Sequence, residues 1–131
     1  MGTREEGLLH EDLTRVIVGV FFDVYNELGY GLFESVYALA MQRVLSGLGY
    51  RVRREVGVVV HFRGEPLARQ RMDMLIDDKV IIEIKSTDVL PATSRRQLLS
   101  YLKSTRLEVG LLLHFGPEAK FIRMLSSNGR S

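Results

Sequence analysis

The run Val80-Ile81-Ile82-Glu83-Ile84-Lys85 is apolar on both faces, broken only by one glutamate and one lysine. That pattern suits a central strand covered on both sides, not a sheet with one face in water. Side chains alternate across a strand, so Glu83 and Lys85 project together while Ile82 and Ile84 point the other way. Charges buried there need partners, and the simplest arrangement is a mutual ion pair.

A further acid, Asp73, is set among Met72, Met74, Leu75 and Ile76 in the preceding apolar segment. Two carboxylates converging on one spot repel unless one is protonated or a cation bridges them. Hard oxygen ligands on a rigid sheet suit Mg²⁺, with Mn²⁺ as a substitute. Strand register decides whether they converge. A two-residue turn at Asp77-Asp78 sets Asp73 opposite Ile82, on the wrong face. A three-residue turn, Asp77-Asp78-Lys79, or an equivalent bulge, pairs residue 76 with 80 and so 73 with 83. The second register is the one expected.

Elsewhere the chain reads as ααβββαββ. Residues Leu13, Val16, Ile17, Val20, Phe21, Val24 and Leu28 recur at helical spacing from about Asp12, and Gly29 and Gly31 end that helix. A second helix from Leu32 carries Val36, Ala38, Leu39, Met41, Val44, Leu45 and Leu48 on its apolar side, with Gly49 closing it. Valine-rich Arg51–Phe62 and then Leu67–Ile76 read as strands parted by a Gly64-Glu65-Pro66 turn. Beyond the Val80–Lys85 strand, Pro91 marks the start of a helix over Ala92–Thr105. Leu107–His114 and Ala119–Leu125 are the last strands. The segments 1–11 and 126–131 read as flexible ends.

The 131 residues form one domain, 46% hydrophobic and 26% charged, which is too apolar for a disordered chain. Without cysteine, neither a disulfide nor a thiolate metal site or nucleophile is available. The longest apolar stretch, Val16–Phe22, is far short of a membrane span, and the N-terminus lacks a signal-peptide core. A cytoplasmic location is the default expectation. A net charge of +2 does not by itself argue for a nucleic-acid partner. Arginines do recur, which fits a solvated mixed surface or a nucleic-acid contact, for which Arg69, Arg71, Arg95 and Arg96 are the candidates.

Glu34 and Tyr37, three residues apart, share a helix face, where Glu34 also complements the positive N-terminus. Gln97 and Tyr101 share a face of the third helix. Read alone, each pair fits an ordinary surface as well as a site. Together, Gly31-x-x-Glu34-x-x-Tyr37, Arg71-Met72-Asp73, Glu83-Ile84-Lys85, Gln97…Tyr101 and Gly110…His114-Phe115-Gly116 resemble the GxxExxY proteins of the PD-(D/E)XK nuclease superfamily. The Gln97…Tyr101 spacing is similar to the QxxxY element of its RecB-like branch.

The resemblance implies a restriction-endonuclease-like α/β core, a mixed sheet with helices on both faces. Asp73 and Glu83 would hold Mg²⁺, Glu34 would hold it directly or through water, and Lys85 would activate the attacking water. Gln97 and Tyr101 would position the water, the phosphate or the lysine. It also implies a nucleic-acid substrate, DNA before RNA, and is compatible with a homodimer. His114 departs from the pattern, where an asparagine is expected, and a structural role is the preferred reading. His10 and His61 have no evident partner. The competing functions are a non-catalytic nucleic-acid-binding or protein-interaction domain, and a structural subunit whose buried charges only pair with one another.

Overall fold

The computed structural model describes residues 10–126. Helix α1 spans Glu11–Leu28, α2 Glu34–Gly47 and α3 Ser94–Lys103. The strands are β1 (Val52–Phe62), β2 (Glu65–Ile76), β3 (Val80–Lys85), β4 (Val109–Phe115) and β5 (Ala119–Leu125). They form one five-stranded sheet in the order β1-β2-β3-β4-β5, antiparallel except for the parallel pair β3–β4. That pair is parallel because α3 carries the chain back across the sheet between them. No helix among the described residues is long and apolar enough to cross a membrane.

The sheet is mixed and flanked by helices, as expected. One apolar layer joins α1 and α2 to Met74, Ile76, Ile82, Ile84, Leu111 and Leu113. The other joins α3, through Leu98, Tyr101 and Leu102, to Met72, Leu75, Ile81 and Leu112. Strand β3 lies between them with Val80 to Ile84 buried, as its two-faced apolar pattern requires.

Besides the ends of α3, expected at 92 and 105, and of β4, expected at 107 and 114, which shift by one or two residues, three details differ from the sequence reading. The α2 stripe that reaches the sheet is Tyr37, Ala38, Met41 and Leu45, whereas Val36, Leu39, Val44 and Leu48 are exposed. Tyr37 takes the core position because its ring stacks on Phe115, with centroids 4.0 Å apart. The β1–β2 turn is made by Arg63 and Gly64, and Glu65 and Pro66 already belong to β2. Pro66 is tolerated because the outer part of β2 pairs only with β1, leaving a free edge where no N–H is needed. The ends are ordered further than expected, since α1 begins at Glu11 and the Ser126 amide bonds Glu108 O at 2.9 Å. The rest of the expected flexible ends, residues 1–9 and 127–131, lies outside the described residues.

Candidate active site

The β2–β3 turn adopts the register on which the site depends. Ile76 pairs with Val80, Leu75 with Ile81 and Met74 with Ile82. Asp77 and Asp78 both take left-handed φ values of 53°, which aspartate tolerates, and Lys79 N–H closes the turn on Ile76 O at 2.9 Å. The Arg51 guanidinium (3.1 Å) and that of Arg53 (3.0 Å) clamp the Asp78 carboxylate, and Arg51 N–H bonds Asp77.

The β2–β3 ladder stops at Met74↔Ile82, and there the strict alternation of β2 also fails. Met72 and Leu75 face α3, while Met74 and Ile76 face α1 and α2. The change of phase falls at Asp73. On β1 it falls at Glu55, which stands opposite with φ 54°, a left-handed conformation uncommon for glutamate. β2 therefore parts from β3, and the Asp73 carboxylate fills the gap by accepting the Ile84 N–H at 2.7 Å. This bond replaces the next rung of the ladder and holds Asp73 beside Glu83.

Glu83 is only 2% exposed, and its Oε2 has no hydrogen-bond partner. Burial first, and then the closeness and charge of Asp73, push its carboxyl up from 4.5 to about 10, with Lys85 opposing the shift and Glu34 adding a smaller repulsion. Lys85 is half-buried, and among the described residues no ion pair joins it to Asp73 or Glu83. The simple ion-pair arrangement is thus not what the strand forms.

On the α3 side, Tyr101 is buried and its hydroxyl is pushed up to about 12, first by burial and then by the charges of Glu83 and Asp73. Gln97, one turn earlier on α3, partly offsets the shift. Glu34 reaches the site from α2, with Oε2 accepting Ser86 N–H at 3.2 Å, one residue beyond Lys85. It does not complete a cluster, for no group of three or more His, Asp and Glu among the described residues is placed to hold a metal ion. Tyr37, its motif partner, lies in the core. The Tyr37 hydroxyl donates to Gly29 O at 2.6 Å and accepts Leu32 N–H at 3.2 Å, so it shapes the loop that presents Glu34.

The arginines do not form one patch. Arg69 and Arg71 are exposed on β2, and Arg71 pairs with Glu55 at 3.2 Å. Arg95 lines a separate groove with Lys120, Glu118 and Asp88, and Arg96 is exposed on α3. Arg54 was not singled out from the sequence. It lines a cleft of about 260 Å³ with Glu34, Glu55, Arg71 and Asp73, and its Nε is buried without a partner. Only the inward phase of β1 at residue 54 distinguishes it from Arg51 and Arg53. His114 is buried, with Nε2 2.8 Å from Thr87 O and 3.1 Å from Thr87 Oγ1. It ties β4 to the loop after β3, the structural role preferred from the sequence.

A family model of the PD-(D/E)XK nuclease superfamily matches residues 11–124. The chain belongs to this superfamily. Asp73, Glu83 and Lys85 all lie within the matched residues. The crystal structure of SSO0001 is similar in fold, with a TM-score of 0.57 and 24% identity, over 71% of this chain and 50% of that one. The chain therefore spans about half the length of that protein. No curated protein matches it.

Proposed function

We propose that this PD-(D/E)XK domain is a divalent-metal-dependent nuclease that hydrolyses phosphodiester bonds of nucleic acid. The observation that carries the reading is the buried, unpartnered Oε2 of Glu83 beside the Asp73 carboxylate. Buried polar atoms are rarely left unsatisfied, and a carboxylate pair is relieved either by a proton or by a cation. The donor set is all oxygen, and Asp73 is fixed by the Ile84 amide. It fits Mg²⁺ or Mn²⁺, which complete their shells with water and need few protein ligands.

Asp73 and Glu83 would hold the ion, with Glu34 reaching it through water. When bound, the ion polarises a phosphoryl oxygen and lowers the pKa of a coordinated water. Lys85 projects on the Glu83 face of β3, where its ammonium orients the attacking water and stabilises charge developing on the phosphate. Tyr101 keeps its proton, so its neutral hydroxyl stands near the acid pair ready to donate, with Gln97 one turn away on α3. Arg54, in the cleft beside Asp73, supplies a cation to a phosphate of the same strand.

The test is cleavage of single- and double-stranded DNA and RNA across a Mg²⁺ and Mn²⁺ titration, with Glu83→Ala and Lys85→Ala as controls. Metal-dependent cleavage lost in both variants is the expected result. Equal cleavage by both variants overturns the assignment, and salt-sensitive binding without turnover identifies a non-catalytic domain.

A further inference from the structure

Phe33 is the most exposed large apolar side chain among the described residues, at 83%. An exposed aromatic ring is unremarkable by itself. What distinguishes Phe33 is where its backbone is held. The residue before it, Leu32, accepts the Ser86 hydroxyl through its carbonyl at 2.6 Å. The residue after it, Glu34, accepts the Ser86 amide. Phe33 is thus fastened on both sides to the residue that follows Lys85.

The rest of the segment is equally constrained. Tyr37 bonds both Gly29 and Leu32, Tyr30 donates to the Asp88 carboxylate, and Phe33 O accepts the Val36 and Tyr37 amides that open α2. The ring therefore stands on a rigid platform at the end of β3, and none of these bonds requires it to be phenylalanine. Val89, next to Asp88, is the other strongly exposed apolar residue on this rim.

Accepting the nuclease reading, we propose that Phe33 is a base-stacking residue that takes an unstacked nucleobase next to the scissile phosphate. The preferred substrate is then single-stranded or frayed nucleic acid, since a base within a duplex already has both faces occupied. Stacking on an aromatic side chain tolerates any base sequence, because every base has a π-face. It also adds affinity without adding charge, which suits a chain whose net charge is only +2.

The chain contains no tryptophan, so Phe33→Trp introduces a single fluorescent reporter at this position. Binding is followed with Ca²⁺ in place of Mg²⁺ to hold turnover off. Single-stranded oligonucleotides should quench the Trp emission, and an abasic strand with the same number of phosphates should not. Phe33→Ala should weaken binding to the single strand about tenfold at an unchanged salt slope, with an unchanged melting temperature.

Wild-type binding and cleavage combined with no quenching and an unaffected Phe33→Ala variant would overturn the inference and leave the nuclease reading intact. Equal quenching by the abasic strand, or quenching that follows protein concentration alone, would also overturn it, the latter assigning Phe33 to a contact between copies. A wild-type protein that neither binds nor cleaves nucleic acid would remove both readings.

Discussion

Replacing Glu83 with glutamine in metal-free protein should stabilise the fold at neutral pH, although it removes a residue central to the proposed reaction. The Glu83 carboxyl titrates near 10 in the folded protein against 4.5 ordinarily. Below 4.5 both folded and unfolded chains carry the proton, and Glu83 imposes no pH-dependent cost. Above it the unfolded chain releases its proton while the folded one retains it, so stability falls as pH rises and goes on falling until about 10. Each pH unit is worth about 1.4 kcal/mol, so the loss accumulated by pH 7 is about 3 kcal/mol. Glutamine keeps the shape and has nothing to titrate. Urea denaturation in EDTA at half-unit intervals from pH 5 to 8.5 should give a falling stability for wild type and a flatter profile for Glu83→Gln. Added Mg²⁺ should flatten the wild-type profile alone. Parallel profiles for the two proteins would refute the reasoning, because the buried carboxyl would then not be carrying the proton.

The remaining expectations address the other parts of the site. Lys85→Met should cut the cleavage rate about 10²–10³-fold, read by single-turnover kinetics, with little change in denaturation midpoint. Tyr37→Phe removes the two hydrogen bonds that shape residues 29–32, should cost about 1–2 kcal/mol, and should speed hydrogen exchange at the Leu32 amide. Gly116→Ala places a methyl 2.6 Å from the His114 ring and 3.1 Å from Thr87 O, and should lower stability by about 1–3 kcal/mol in urea titrations. Asp73→Asn should shift the Glu83 titration back toward its ordinary value, visible as a weaker pH dependence of stability, since it removes the nearest negative charge.

Much of the fold was legible because it is encoded locally. β3 and β5 fall on the residues their patterns indicate, and the Asp77-Asp78-Lys79 turn produces the expected pairing of 76 with 80, although the ladder stops at Met74↔Ile82, one rung short of Asp73 and Glu83. The Glu83–Lys85 face followed from alternation alone. What was not legible depends on contacts between distant segments. Tyr37 reads as a surface neighbour of Glu34 until Phe115, far along the chain, supplies the ring it stacks on. α2 has more apolar residues than the sheet can cover, and nothing within the helix says which of them will remain outside. The paired phase changes at Glu55 and Asp73 leave no residue signature, since neither is a glycine.

That break in alternation has a mechanical consequence. Outward of Asp73, the β1–β2 hairpin is a ribbon with no third strand beside it, carrying Arg69 and Arg71. A load applied along it passes to the body through Val58 and Met72, buried against α3, through the Ser100 hydroxyl on Gln70, and through the bond from the Ile84 amide to Asp73 where the ladder ends. If the domain is the proposed nuclease, a long substrate held at the tip of this ribbon is joined to the acid pair through only these few contacts.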